Sequence, residues 1–184
     1  MKLSYYTRIF LLITLLAATA CPAAAERLAT PFRVITVHDG DTVSIRAKSF
    51  AGIPLKAERV RLIGIDAPEL DQEPWGRRAK RHLKQLISKS NWIVLIERDV
   101  EQRDRHGRPL VYLWDRRGER MLNEEMIEAG YARLYTIPPN VKYSGRLAEA
   151  QRRAFLRRAG IWSKEGLKES PGQWRRAHPR GNGG

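Results

Sequence analysis

The sequence predicts an α+β domain in which a small five-stranded β-barrel carries three α-helices. Five short β-rich runs occur between residues 32 and 114, one helical pattern follows the third run, and two more follow the fifth. With 184 residues, 42% of them hydrophobic, the chain is long enough for one globular domain. Its single cysteine excludes an internal disulfide framework, and its four histidines show no zinc-ligand spacing.

The N-terminus precedes this domain and is predicted to be a signal peptide covering residues 1–25. The apolar run from Ile9 to Ala20 is shorter than the ~20 residues that a membrane-spanning helix needs, but it suits a signal peptide. We therefore expect an exported protein, either periplasmic or secreted. A lipoprotein anchored through Cys21 and an uncleaved membrane tether are the alternatives. Residues 26–31 are predicted to link the leader to the domain.

Five runs with β-branched residues or two-residue alternation are predicted to be the strands. They are Phe32 to Val37, Thr42 to Ala47, Arg59 to Ile65, Trp92 to Glu97 and Leu110 to Trp114. The Asp-Gly pair at residues 39–40 predicts a turn between the first two strands. Pro68 ends the third strand, because proline cannot donate to a strand ladder.

Three later segments have helical spacing of their apolar residues. They are Gly76 to Ser90, Met121 to Ala129 and Leu147 to Ala159. The first has a basic face that includes Lys80 and Lys84, and the third carries basic residues around Arg152. Residues 164–184 are polar and predicted to be a disordered tail, which leaves residues 32–163 as the domain. An oligonucleotide-binding (OB-type) barrel is a five-stranded fold of this kind.

Two turns of the predicted barrel are rich in carboxylates. Asp39 and Asp41 belong to the first turn, and Asp66 and Glu69 follow the third strand. Clustered carboxylates suit a hard divalent cation, which offsets their mutual repulsion. The alternative is that the first pair are ordinary turn residues and that the second pair only mark the end of a strand.

Two arginines accompany these turns in the sequence. Arg61 lies on the third predicted strand, and Arg108 lies in a charged hairpin. Guanidinium groups bind phosphoryl oxygens through paired hydrogen bonds and stabilise charge that builds in a transition state. Together with a net charge of +14, this pattern favours a polyanionic partner. A solvated surface charge is the alternative for each arginine.

Three ordered blocks resemble the thermonuclease (staphylococcal-nuclease-like) family. They are Val37 to Val43, Arg61 to Glu69 and Asp104 to Arg108. Later landmarks at Leu122-Asn123-Glu124 and Gly160-Ile161-Trp162-Ser163 extend the resemblance over residues 32–163. The resemblance implies an OB-type barrel with three helices and a Ca2+-dependent, non-specific nuclease that leaves 3′-phosphate ends.

The resemblance also implies one metal site in the two acidic turns. It assigns Asp41, Asp66 and the carbonyl group of Ala67 as ligands of a single Ca2+ ion. Asp39 is placed beside them as a supporting residue. Carboxylates alone leave Mg2+ or Mn2+ open as substitutes for Ca2+.

Three catalytic residues and four substrate contacts follow from the same resemblance. Glu69 is the general base or water-orienting carboxylate for in-line attack of water on phosphorus, and Arg61 and Arg108 bind the phosphate. The substrate contacts are His106, Tyr135, Lys80 and Lys84. His106 stands where the family can carry a tyrosine, and its alternative is a hairpin residue with no part in catalysis.

The function predicted from the sequence is an exported nuclease that acts on single- and double-stranded DNA and on RNA. We expect a monomer without an obligate protein partner. One alternative is a nucleic-acid-binding module of the same fold with weak or no catalytic activity. Another is a basic structural or adhesion protein, for which the five matching residues Asp41, Arg61, Asp66, Glu69 and Arg108 would be a coincidence.

Overall fold

The structure, a computed structural model that describes residues 30–47 and 56–179, contains the predicted barrel. Its strands are β1 (Pro31–Val37), β2 (Thr42–Ala47), β3 (Glu58–Leu62), β5 (Ile93–Glu97) and β6 (Leu110–Trp114). They close in the order β1-β2-β3-β6-β5, and every neighbouring pair is antiparallel except β3 and β6. The α+β, OB-type barrel predicted from the sequence is confirmed.

The third predicted strand is broken into two at Ile63. β3 ends at Leu62, and β4 (Gly64–Asp66) leaves the barrel to pair with β7 (Arg133–Tyr135), a strand that the sequence analysis did not predict. Gly64 permits the break because its φ is +76° and because a Cβ atom there would lie 2.4 Å from Leu147. The break carries Asp66 out of the barrel wall and towards the first turn.

Three of the four helices in the described chain confirm the predicted ones with small shifts of their ends. They are α1 (Trp75–Lys89), α2 (Leu122–Glu128) and α3 (Ser144–Leu156). A short 3-10 helix, Gly160–Trp162, follows α3. The apolar face of α1 is buried in the same core as the barrel strands, which leaves its basic face outside.

A fourth helix, α4 (Pro171–Ala177), lies where the sequence analysis expected a disordered tail. Ser170 caps it in a capping box: the Ser170 hydroxyl accepts the N–H of Gln173, and the Gln173 side chain accepts the N–H of Ser170. Pro171 occupies the first turn, where its missing N–H costs nothing. The expectation of disorder is therefore wrong for the described part of this segment.

The core fills the barrel and continues beneath the helices. Its barrel residues include Val34, Val43, Val60, Leu62, Val94 and Val111, and α1 contributes Ala79, Leu83, Leu86 and Ile87. Val34 and Val37 are the buried residues of β1 and lie on either side of an irregularity in its pairing with β2, and the buried residues of α1 recur at helical spacing. One apolar core thus fixes the barrel and α1 against each other.

The predicted signal peptide, residues 1–25, and with it Cys21, lies outside the described residues. The same holds for residues 180–184 of the predicted tail and for most of the predicted linker. Across residues 30–47 and 56–179, no helix is both long and apolar enough to cross a bilayer.

Candidate active site

The turn between β1 and β2 holds Asp41 between α1 and the chain after β4. Asp39 Oδ1 accepts the N–H of Asp41 at 3.0 Å, which closes a tight turn stabilised by a side chain. A Cβ atom on Gly40 would lie 2.5 Å from the Ala67 Cβ and 2.8 Å from the Ala79 Cβ. Only glycine therefore allows this close contact, and the contact sets the position of Asp41.

The Asp41 carboxylate is buried and bonded on both oxygens. Its Oδ2 accepts the N–H of Ala67 at 2.8 Å, and its Oδ1 accepts the Thr42 hydroxyl at 3.1 Å. Burial raises its pKa to about 6, although the Arg61 guanidinium acts in the opposite direction. The charge of Asp41 is thus only partly compensated, and a nearby cation would stabilise it.

Arg61 extends from β3 and lies between two carboxylates. Its Nη1 donates to the carbonyl oxygen of Leu62 at 2.8 Å, and its Nη2 donates to that of Ile65 at 2.9 Å. The same Nη2 lies 3.1 Å from Asp41 Oδ2 and 3.6 Å from Asp66 Oδ1. Two backbone hydrogen bonds therefore fix the guanidinium at the point on which both acidic turns converge.

Asp66 and Glu69 share a second arginine, Arg175 of α4. Arg175 Nη1 and Nη2 lie 3.0 and 3.1 Å from the two Asp66 oxygens, and Nη1 also lies 2.8 Å from Glu69 Oε1. Burial lowers the pKa of Arg175, but its hydrogen bonds to these carboxylates outweigh that effect and raise it. The structure thus adds one residue to the predicted cluster of Asp41, Arg61, Asp66 and Glu69.

Arg108 lies in a hairpin that adjoins β3, and its side chain is bound within that hairpin. Arg61 donates its backbone N–H to the carbonyl oxygen of Pro109 at 2.9 Å, so the end of the hairpin adjoins β3. The Arg108 side chain donates to Asp104 Oδ2 at 2.7 Å. Burial raises the pKa of Asp104, but this bond and two backbone N–H groups outweigh it and lower the pKa. The structure places Arg108 near Arg61 through the backbone, without an ion pair to the acidic cluster.

The predicted substrate contacts lie at the surface around these elements. His106 is exposed at the hairpin tip, and Tyr135 is 48% exposed opposite Gly64 in the β4–β7 pair. Lys80 and Lys84 lie on α1, with no ion pair to any residue that the structure describes. Their positive charges are therefore available to an external anion.

The donor set suits a hard divalent cation. One guanidinium nitrogen lies within ion-pair distance of Asp41 and Asp66, so their oxygens converge, and the Ala67 backbone is bonded to Asp41. Two carboxylates, with the Ala67 carbonyl that the resemblance assigns as a third ligand, leave further positions to water and phosphate, as oxygen-ligated cations require. No cluster of three or more His, Cys, Asp or Glu side chains that could hold a metal occurs in the described ranges. The partly compensated charge of Asp41 agrees with a bound cation.

Comparison with known proteins identifies the family. Residues 59–164 match the family model described as staphylococcal nuclease homologue. The chain belongs to the staphylococcal nuclease family. The matched residues begin in β3 and end just after the 3-10 helix, so they include Arg61, Asp66, Glu69 and Arg108.

Several proteins named as nucleases are similar to this chain over most of its length. A thermonuclease of Staphylococcus hyicus is 36% identical over 72% of this chain and 75% of its own length. An uncharacterized endonuclease of Haemophilus influenzae is 31% identical over 92% of this chain and 86% of its own length. A micrococcal nuclease of Shigella flexneri is 31% identical over 78% of this chain and 79% of its own length. The resemblance found in the sequence is confirmed.

In this member of the staphylococcal nuclease family, the basic residues of α3 are paired with carboxylates. Arg153 lies 2.9 Å from Glu128, and Arg152 lies 2.7 Å from Glu149. Arg157 donates to the backbone carbonyl of Glu128 at 2.9 Å. The contacts of Arg153 and Arg157 with Glu128 join α3 to α2, whereas the Arg152–Glu149 pair lies within α3, and all of them reduce the charge that α3 offers to a polyanion. Lys80 and Lys84 of α1, by contrast, form no ion pair with a described residue.

Proposed function

We propose that this protein is a divalent-cation-dependent nuclease that hydrolyses phosphodiester bonds in DNA and RNA. The observation that carries the proposal is the convergence of Asp41 and Asp66 on Arg61, with Glu69 joined to Asp66 through a shared arginine. Membership in the staphylococcal nuclease family and similarity to a thermonuclease support it. Such a site combines oxygen donors for a cation, a carboxylate base and a cationic group for phosphate.

Asp41, Asp66 and the Ala67 carbonyl would hold one cation, with Asp39 supporting the turn. Ca2+ is the expected ion, and Mg2+ or Mn2+ satisfies the same oxygen donors. When bound, such a cation would polarise the phosphate and stabilise its negative charge. Buried Asp41 fixes the ligand geometry, since its hydrogen bonds to Ala67 and Thr42 hold the carboxylate in place.

Glu69 and the arginines would carry the chemical step. Glu69 accepts a proton from a water molecule that attacks phosphorus in line with the leaving 5′ oxygen. Arg61 hydrogen-bonds a non-bridging oxygen, and Arg108 does the same once the phosphate replaces Asp104 as its partner. The P–O5′ bond breaks, the leaving 5′ oxygen takes a proton from the solvent, and Glu69 returns its proton to the solvent. The products carry a 3′-phosphate and a 5′-hydroxyl group.

Binding of substrate would depend mainly on charge. Lys80 and Lys84 neutralise phosphates of single- or double-stranded chains without reading the sequence, while Tyr135 and His106 contact the nucleotide. The protein acts after export, because the leader pattern suits a signal peptide. It acts as a monomer. These assignments make it an exported nuclease without sequence specificity.

A nucleic-acid-binding module without strong catalysis is the second candidate. The observation that favours it is the ion pairing of Asp66 and Glu69 with Arg175, which engages a proposed metal ligand and the proposed base at once. In that case the barrel and α1 would bind nucleic acid, and the acidic cluster would serve only to fix α4.

Digestion of end-labelled single-stranded DNA, with Ca2+ or with a chelator, tests the proposed function. We expect cleavage only with the cation. We also expect products whose 3′-phosphate groups are removed by a 3′-phosphatase. Products with 5′-phosphate ends would contradict the proposed direction of bond cleavage. Salt-sensitive binding without cleavage under any divalent cation would favour the binding module.

A further inference from the structure

Helix α4 is held against the candidate active site by polar contacts from three residues. Arg175 pairs with Asp66 and Glu69 as described, and Trp174 Nε1 donates to Asp71 Oδ1 at 3.1 Å. Glu169 lies just before the helix, and its carbonyl oxygen accepts a hydrogen bond from Gln72 Nε2 at 2.8 Å. The segment that follows the family domain therefore returns to the loop between β4 and α1, which carries the proposed base.

The contact between α4 and this loop is incompletely packed. Pro171 is the one buried residue of the helix, and a cavity of about 340 Å³ lies between the Gln72–Trp75 loop and the Glu165–Glu169 segment. Gln72 Oε1 is buried there without a hydrogen-bond partner. A helix held by partly exposed polar contacts and little apolar burial costs little free energy to detach.

Arg175 occupies the oxygens that a cation requires. It bonds both oxygens of Asp66, and one of its nitrogens bridges to Glu69. A divalent cation on Asp66 would lie within a few ångströms of this guanidinium, and the two positive charges would repel each other. Glu69 also cannot accept a proton from water freely while it accepts a hydrogen bond from Arg175.

We propose that α4 is an autoinhibitory strap in which Arg175 stands in for the divalent cation, so that metal binding and α4 docking exclude each other. The proposal rests on the metal site of the proposed function and adds its regulation. The strap satisfies Asp66 and Glu69 while no metal is bound. Cation binding releases Arg175 and with it α4, which frees Glu69 for water. Because the coupling is reciprocal, whatever holds α4 in place weakens the binding of the cation.

Calorimetric titration of the 184-residue chain with CaCl2 tests the strap, with Arg176→Ala as the matched control. Arg176 follows Arg175 in the same helix and is exposed, and it makes no ion pair with a described residue, so both substitutions remove one charge from α4. We expect Arg175→Ala to bind Ca2+ about tenfold more tightly than the wild type, and Arg176→Ala to match the wild type. Equal affinities in all three proteins, or weaker binding by Arg175→Ala, would overturn the strap.

Amide hydrogen exchange gives a second, independent measurement. The N–H groups of Trp174 and His178 donate within α4 to the carbonyl oxygens of Ser170 and Trp174. We expect saturating Ca2+ to accelerate exchange across residues 171–178 of the wild-type chain, because the released helix frays. Unchanged exchange despite calorimetric Ca2+ binding would overturn the strap alone. No binding of Ca2+, Mg2+ or Mn2+ by any variant would overturn the metal site and the strap together.

Discussion

Asp41 has an environment that opposes its own charge. It is 7% exposed, and its partners are one arginine, one hydroxyl and one backbone N–H group. Burial raises its pKa from 3.8 to about 6. A carboxylate retained in such a place is a cost to stability in the metal-free protein, and a bound cation offsets that cost.

The first prediction concerns Asp41→Asn in metal-free protein. The raised pKa means that the native state favours the protonated carboxyl, so its stabilising contribution is present below about pH 4 and lost as the pH rises through about 6. Asparagine resembles the protonated form, and we expect it to raise the free energy of unfolding at about pH 7 by on the order of 1–3 kcal/mol. Urea denaturation of both proteins in chelator, at about pH 4 and pH 7, measures the difference. A variant that is less stable than the wild type at both pH values would contradict the raised pKa of Asp41.

The residues of the site were predictable to different degrees. Asp41, Arg61, Asp66 and Glu69 belong to short motifs at strand ends, and the backbone brings such ends together. The ion pairs of Arg175 were not predictable, because more than 100 residues separate it from its partners. Its helix did carry a local signal, since Ser170 and Gln173 have capping-box spacing.

At the scale of elements, the break between β3 and β4 directs Asp66 into the site, and Asn123 of α2 stabilises that break. The Asn123 amide is fully buried and donates to the carbonyl oxygen of Ile63 at 2.8 Å. Its Oδ1 accepts the N–H of Leu113 at 2.8 Å. A strand that leaves its sheet needs such substitutes for lost ladder bonds.

The second prediction is that Asn123→Leu lowers the free energy of unfolding by about 2–4 kcal/mol, because two buried backbone groups lose their partners. Chemical denaturation measures the loss. A change below about 1 kcal/mol would mean that the break at Ile63 is stabilised in another way.

The contact between the first turn and α1 is a further constraint at this scale. The third prediction is that Gly40→Ala destabilises the protein by about 1–3 kcal/mol and weakens Ca2+ binding, since the added methyl group displaces Ala67 or Ala79. Gly145→Ala in α3 is the control, because its Cβ atom would meet nothing within 4 Å. Thermal unfolding and calorimetry compare the two, and equal effects would contradict the role given to the Gly40 contact.

The elements themselves were largely predictable, and their exceptions have local causes. Five barrel strands and three helices follow from hydrophobic periodicity, which the core requires. The run from Arg59 to Ile65 concealed the break, because Val60 and Leu62 of β3 and all of β4 are buried, so the apolar pattern continues across it. β7 has only three residues, and so short a run carries no period.

At the scale of the whole molecule, net charge is +14, but its distribution is uneven. The arginines of α3 are paired with Glu124, Glu128 and Glu149, whereas Lys80 and Lys84 of α1 have no ion pair with a described residue. The sequence alone could not separate these two basic helices, because pairing across α2 and α3 depends on the tertiary fold. We therefore expect α1 to carry the larger share of phosphate binding.

The fourth prediction is that replacing Lys80 and Lys84 with alanine weakens single-stranded DNA binding evenly across sequences. The slope of log affinity against log salt should fall by about 1–2 units, because fewer counterions are released. The control replaces Arg152 and Arg157 with alanine, which removes the same charge from paired residues. Fluorescence anisotropy over a range of salt measures both variants. An unchanged slope for the α1 variant would mean that the DNA phosphates bind to another part of the protein.

The central claim is that the acidic cluster hydrolyses phosphodiester bonds, and Glu69→Gln tests it most directly. Glu73→Gln is the matched control, since it makes the same change in the same loop at an exposed residue paired with Arg77. The measurement is the initial rate of Ca2+-dependent cleavage of single-stranded DNA at saturating substrate, with substrate affinity measured in parallel. We expect Glu69→Gln to lose on the order of 10² or more in rate with its affinity retained, and Glu73→Gln to match the wild type. Full activity of Glu69→Gln, or equal losses in both variants, would contradict the assignment of this cluster as the active site.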